Sequence, residues 1–340
     1  MRAPFKLAGR DVAPGTRVMI NVPMPDLSSQ TGVYMPVHVI HGRQQGPVLF
    51  VSAAIHGDEL NGIEIIRQVL SMKALSGIKG TLIAVPVVNA YGLIQVSRYL
   101  PDRRDLNRAF PGSENGSLAG RLAKLFMDEI VSVSTHGIDL HTGSGHRTNL
   151  PQIRANLDDE ETDRLARQFG VPVLLNASVR DGSLRGSASD IGIPILLYEA
   201  GEALRYNDMA IRAGASGIVS VMRALNMLRP SRNARRKYKE PFVARSSRWL
   251  RAPVSGMFRS SVRLGAQVAR GEVVGHIASA SDGTRQVIQS NHAGVIIGRM
   301  ELPLVHEGDA LLHLARFSED IDEVAEHVES FQLDNTDDDV

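Results

Sequence analysis

The chain reads as an α/β protein, a largely buried β-sheet flanked by helices, with a smaller all-β module after it. Over roughly the first two thirds of its 340 residues, short Val-, Leu- and Ile-rich runs alternate with segments whose apolar residues recur at helical spacing. After "RPSRNARRKYKEP" the texture changes to short alternating segments with regularly placed glycines, and no helix-like stretch precedes the acidic C-terminus.

Residues 17–22 and 33–41 read as early strands, followed by a strand near 48–54, a helix near 59–74 and the strand "TLIAVPVV" at 81–88. A long, polar, arginine-rich loop spans 101–116, and a loop of that length in a compact domain points to function. A helix at about 117–134 leads to the short strand "GIDLHT", a helix near 158–169, the apolar "VPVLLNA", the strand "IPILLYEA" at 193–200 and an amphipathic helix at about 207–228. Residues 142–156 and 176–190 read as loops that shape a pocket. In the second module "APVSGMF…VARGEVVGHIA" echoes "SNHAGVI…VHEGDALLHLA", with Gly256 and Gly294 in equivalent turns, which predicts a small sandwich of two interlocked hairpins. The expected divisions are a first domain at 1–229, a basic linker at 230–248, the β-domain at 249–316 and an acidic tail at 317–340.

Composition narrows the chemistry. With no cysteine, disulfides, thiolate zinc sites and cysteine nucleophiles are excluded, and His and carboxylates are the strong metal ligands left. No apolar run approaches the roughly 20 residues of a membrane span, and the N-terminus has no signal-like apolar core, so no membrane association and a cytoplasmic location are expected. The net charge is +1 but uneven: residues 230–251 hold eight Lys/Arg against Glu240, and 317–340 hold ten acids without a Lys or Arg. A nucleic-acid patch is the weaker reading of the basic run, which has few aromatics and an acidic tail to neutralise it. No nucleic-acid partner is expected.

The stretch "SAAIHGDELNG", residues 52–62, places His56 and Glu59 where a buried strand turns into a helix. Open α/β sheets bind ligands at such strand ends, and residues three apart in a first helical turn share a side. A third ligand has to come from elsewhere. His141 in "GIDLHTGSG" also ends a strand, with His136, Asp139 and His146 as competing neighbours; two His and one Glu make a zinc set with an open fourth position. Glu199, after the run "IPILLY", is the candidate proton carrier, with Glu202 as its fallback. "SRYLPDRRDLNRAFPG" supplies Arg98, Arg103, Arg104 and Arg108 for an anionic substrate. His38, His41, His276 and His306 read as structural.

Through "HGDE", "DLNRAFPG", "DLHTG" and "YEAGE", in that order, the chain resembles the succinylglutamate desuccinylase/aspartoacylase family, a branch of the zinc carboxypeptidase-like hydrolases, over about residues 35–225. The resemblance implies a mixed sheet with helices on both faces, one Zn2+ per chain held by His56, Glu59 and His141, and Glu199 as general base and acid. It selects His141 over His136. It further implies that Asn107 and Arg108 hold the substrate carboxylate and that an arginine shortly before them polarises the scissile carbonyl: Arg98, with Arg103 as the alternative. The C-terminal module looks like the barrel-sandwich of biotinyl and lipoyl carriers. Its hairpin tip "SASDGTRQ" has Gly283 about where a carrier lysine would stand, and no Lys follows Lys239, so capping of the catalytic mouth or an oligomer contact is the expected role.

The expected activity is zinc-dependent hydrolysis of the amide of a small N-acyl amino acid, by a homo-oligomer. The alternatives are a metallocarboxypeptidase acting on a peptide or modified polymer and a non-enzymatic binding protein on the same fold.

Overall fold

Alternation in "VLFVSA" divides one central strand between two cores. Leu49, Val51 and Ala53 pack into one layer with Ile65, Phe169 and Met222, whereas Phe50 packs into the other with Leu122, Phe126 and Ile130. The computed structural model in which this is seen describes residues 2–27, 32–177, 181–230 and 239–336.

Strands β1 (Phe5–Leu7) and β2 (Arg10–Val12) form a small hairpin. The main sheet takes β3 (Thr16–Pro23), β4 (Tyr34–His41), β5 (Gln44–Ala53), β6 (Lys79–Val85), β7 (His136–Gly143), β8 (Arg147–Ala155), β9 (Val173–Asn176) and β10 (Ile195–Glu202). Between them run α1 (Asn61–Ser71), α2 (Ala90–Ile94), α3 (Leu118–Phe126), α4 (Glu160–Phe169) and α5 (Leu184–Asp190), and α6 (Asp208–Ala224) follows β10. Asn89, Ser117, Asp159, Ser183 and Asn207 cap α2 to α6, each accepting from a backbone N–H of its first turn. The pairs β5–β6, β5–β7 and β7–β10 are parallel, while β3–β4, β4–β6 and β8–β10 are antiparallel, so the sheet is mixed.

The C-terminal strands are β11 (Phe242–Ala244), β12 (Ser246–Arg251), β13 (Gly256–Ser260), β14 (Gln267–Val268), β15 (Val273–Ala278), β16 (Arg285–Gln289), β17 (Gly294–Met300), β18 (Leu304–Val305) and β19 (Ala310–Arg316). The echoed halves enter different layers. β13 and β15 of the first half stand in the four-stranded sheet β16-β15-β13-β18, and β17 and β19 of the second extend the main sheet, whose order is β12-β19-β17-β8-β10-β7-β5-β6-β4-β3, while β18 and β14 each cross to pair with a strand of the other half. A core that includes Leu250, Phe258, Ile277, Ile288, Ile296 and Leu312 fills the space between these layers. A further apolar cluster, Leu150, Val173, Leu175, Ala244, Ile297, Ala315 and Val328, welds the C-terminal strands to β8 and β9.

Two expectations change. Residues 147–155 are not a loop but β8, buried in mid-sheet. Pro151 disguises it: this residue, which has no N–H to donate, falls where β17 leaves β8 after Asn149 and β9 joins at Gln152, so no ladder bond is lost. Within 176–190, α5 occupies 184–190. The acidic C-terminus holds a helix, α7 (Ile321–Thr336), which buries Val324 and Val328 and sets Glu329 2.9 Å from Arg263. Much of the basic linker, 231–238, lies outside the described residues. No described helix is long and apolar enough to cross a membrane.

Candidate active site

The turn 54–60 carries His56 and Glu59 from the end of β5 into α1. It lies flat on the residues that open α2, with Val88 and Asn89 N–H donating to the Ala53 and Ala54 carbonyls at 3.0 and 2.9 Å. Gly57 permits the approach, since a Cβ there would stand 2.0 Å from the Gly92 carbonyl carbon. The glycine of "HGDE" is therefore a steric requirement of the site.

Glu59 is buried at the centre. Its Oε1 lies 2.8 Å from His56 Nδ1 and accepts from Arg98 at 3.1 Å; its Oε2 lies 2.7 Å from His141 Nδ1 and accepts from the Thr142 N–H at 3.1 Å. Burial alone would raise the Glu59 carboxyl, but the facing imidazoles outweigh it and hold the group well below the usual range. For His141, burial opposes the charge, yet Asp139 and Glu59 raise its affinity for a proton well above the ordinary value.

The far nitrogen of each imidazole also meets a carboxylate. His141 Nε2 is 2.7 Å from Asp139, which accepts from the Ser52 hydroxyl at 2.7 Å; His56 Nε2 is 3.1 Å from Asp105, which is held in turn by Arg98 at 3.0 Å. Burial pushes the Asp105 carboxyl up, but His56 and Arg98 bring it below its usual range. Among the described residues, His56, Glu59 and His141 form the one group whose donor atoms, all within 4.8 Å of one another, could hold a metal. Both Nδ1 atoms turn inward while a carboxylate fixes each opposite nitrogen, the arrangement expected of metal-binding histidines, so this donor set fits zinc.

Glu199 stands beside His141 because β10 and β7 run parallel in register at that pair. Leu197 and Glu199, two apart on β10, line the same cavity. Asn149 donates to Glu199 Oε2 at 2.8 Å, and Arg154 Nε is 3.3 Å from the same oxygen. Glu202 lies elsewhere, 3.5 Å from His146 and 3.3 Å from Arg205, and His136 sits at the opposite end of β7 beside Glu161.

Asn107 and Arg108 lie on the turn Leu106–Arg108, which Asp105 caps by accepting from the Asn107 N–H. The Asn107 side-chain oxygen Oδ1 accepts from the Leu184 N–H at 2.9 Å. Both residues line the cavity, as does Arg98. Arg103 is exposed, has φ of 63°, and is not among the lining residues.

The cavity holds about 590 Å³, and Arg98, Arg108, Arg147, Arg154, Arg185 and Arg251 face it against Glu59 and Glu199. Ser246, Ser247, Trp249 and Arg251 of β12 close one side. Sequence reasoning missed Asn149, Arg154 and Trp249. Asp105 carried a signal, being the first residue of "DLNR", and Asp139 was visible as a rival to His141.

Residues 45–225 match the model of the succinylglutamate desuccinylase/aspartoacylase catalytic domain. A relative from Halomonas elongata, N-alpha-acetyl-L-2,4-diaminobutyric acid deacetylase, is 33% identical over 153 residues; the match spans 43% of this chain and 44% of that protein. Among solved structures, a succinylglutamate desuccinylase/aspartoacylase from Rhodobacter sphaeroides superposes with a TM-score of 0.80 at 23% identity, covering 89% of this chain and 96% of that one. The product-bound ectoine utilization protein EutE of Ruegeria pomeroyi gives 0.79 at 20% identity, covering 88% and 95%. An aspartoacylase family protein of Mesorhizobium loti gives 0.79 at 21%, covering 94% and 100%. These likenesses show a shared fold across both the main sheet and the C-terminal strands. With the match over more than half of its length, the chain belongs to the succinylglutamate desuccinylase/aspartoacylase family.

Proposed function

We propose that the protein is a zinc-dependent amidohydrolase that cleaves a small N-acyl amino acid into a carboxylate and a free amine. The observation that carries this reading is that a three-residue metal donor set and a separate carboxylate, Glu199, open on one arginine-rich cavity. The name of the Halomonas relative, a deacetylase of an N-acetylated amino acid, supports the same substrate class.

Zinc held by His56, Glu59 and His141 supplies a Lewis acid and lowers the pKa of water. Glu199 takes a proton from the attacking water and returns it to the departing nitrogen as the C–N bond breaks. Arg98, fixed between Glu59 and Asp105, brings its charge to the acyl oxygen. Arg108 and the N–H groups of the Asn107 carboxamide anchor the carboxylate. β12 lines one side of the cavity, whose volume of about 590 Å³ suits a small substrate.

The test uses zinc-loaded protein with pooled acetyl-, succinyl- and longer-acyl amino acids and short peptides, read by mass spectrometry against a chelated control. Chelator-sensitive loss of an acyl amino acid is expected, and Glu199→Gln should keep its zinc while losing about 100-fold or more in turnover. Trimming of peptides alone, or full activity in Glu199→Gln, would overturn the proposal.

A further inference from the structure

We infer that Asn149 is a positioning residue for Glu199, and that the C-terminal strands hold it in place through Gly298, His313 and Trp249. The inference rests on the reading of Glu199 as the base.

Paired positions on four neighbouring strands form a row across the sheet. Trp249 on β12 pairs with His313 on β19, His313 with Gly298 on β17, and Gly298 with Asn149 on β8. Paired residues share a face, so the row runs from the C-terminal strands to the edge of the cavity at Glu199. At its outer end the Trp249 and His313 rings stack at 4.5 Å with 8° between their planes. In its middle a side chain is missing. A Cβ at Gly298 would stand 2.9 Å from Asn149 Oδ1, 3.1 Å from His313 Cβ and 3.4 Å from a Trp249 ring carbon.

The space left by Gly298 is thus bounded by all three other members of the row, and it fixes the Asn149 amide. Its oxygen lies against Gly298, which leaves its nitrogen to donate to Glu199 Oε2 at 2.8 Å. That bond, with Arg154 approaching the same oxygen, stops the carboxylate from turning about its terminal torsion. Asn149 and His313 are buried, so the amide is packed from behind and has little room to turn away from Glu199. The C-terminal strands therefore act on the base as well as closing the cavity.

A double-mutant cycle on the zinc-loaded enzyme tests this, with Glu199→Gln as control and zinc content and thermal unfolding measured throughout. Asn149→Ala and Gly298→Ala should each lower kcat about 10- to 100-fold, the scale of misplacing a catalytic group by about 1 Å, with KM within about threefold and zinc retained. The double variant should fall no further than the worse single variant, because both changes act on one contact. If Gly298→Ala does not fold, His313→Phe and His313→Leu decide: Phe keeps a ring to stack on Trp249, so Leu should lower kcat about tenfold further than Phe. Wild-type kcat in Asn149→Ala beside an inactive Glu199→Gln, additive losses in the cycle, or equal kcat in the two His313 variants would overturn the inference alone. Full activity in Glu199→Gln would instead remove the reading on which it rests.

Discussion

Removing the Asp139 carboxylate should weaken metal binding although no metal donor is touched. Asp139 joins His141 Nε2 and the Ser52 hydroxyl, each at 2.7 Å, and the three residues are 2%, 5% and 0% exposed. Asp139→Ala leaves an imidazole N–H and a hydroxyl buried without partners, at about 1–3 kcal/mol for an unmade buried bond. It also frees the His141 ring, which Asp139 holds with Nδ1 toward Glu59; loss of such outer contacts lowers metal affinity about 10- to 100-fold, or about 1.4–2.7 kcal/mol. Asp139→Asn keeps an oxygen for His141 but loses the charge, so it should stay near the lower limit, with Ala near the upper. Asp105, at 3.1 Å from His56 and partly exposed, should matter less for affinity. Because it also holds Arg98, Asp105→Ala should lower turnover as well. The assay is competition for zinc against a chelator of known affinity at fixed pH, on variants whose circular dichroism matches the parent. Zinc affinity within twofold of wild type in Asp139→Ala, or a larger affinity loss in Asp105→Ala, would refute the reasoning.

Gly57→Ala should displace the turn that carries His56 and Glu59, because its Cβ would meet the Gly92 backbone at 2.0 Å; zinc stoichiometry should drop well below one, and full occupancy would contradict the steric account. Ile297→Ala, at a fully buried position in the joint between β17 and its neighbours, should cost about 2–5 kcal/mol in denaturant unfolding, and a loss under 1 kcal/mol would mean that the joint is loosely packed. His313 makes stability depend on acid. Burial first, and then Arg154, push its imidazole down to about 3. Between that value and the ordinary value near 6.5 the unfolded chain binds a proton that the folded chain does not, so this contribution is full above about 6.5 and is lost as pH falls. At about 1.4 kcal/mol per pKa unit the whole window is worth about 5 kcal/mol, and His313→Gln should show a shallower acid loss; an unchanged slope would mean that the group is not held neutral.

The candidate metal donors were legible because each breaks a local rule. "HGDE" puts ionisable groups directly after the buried run "VLFVSA", and "DLHTG" alternates Asp139 and His141 with Ile138 and Leu140, which face the core. Burying such groups is costly unless they have partners, so their positions stand out in one dimension. Strand β8 obeys no such local rule. Its Asn149 and Arg154 face the cavity, and Pro151 falls between two sheet partners, so "RTNLPQIRA" shows neither helical nor alternating apolar order. A reading by periodicity makes it a loop, and with it goes the residue that donates to Glu199.

The C-terminal strands posed a different difficulty. Their internal echo and glycine spacing were enough to predict a small sandwich, because each half must bury one apolar face and the halves are alike. No local pattern states which half will pair with β8. That choice depends on β8 exposing an edge beside β10 at residues 147–149 and on Gly298 being small enough to lie against Asn149, two features 149 residues apart in sequence. The outcome brings Trp249, the chain's one tryptophan, to the cavity that the family motifs build. It also sets a β-module without a carrier lysine directly against the main sheet. β17 shares a ladder with β8, whose Asn149 donates to Glu199, so one continuous sheet joins the cavity wall that carries Trp249 to the carboxylate proposed as the base.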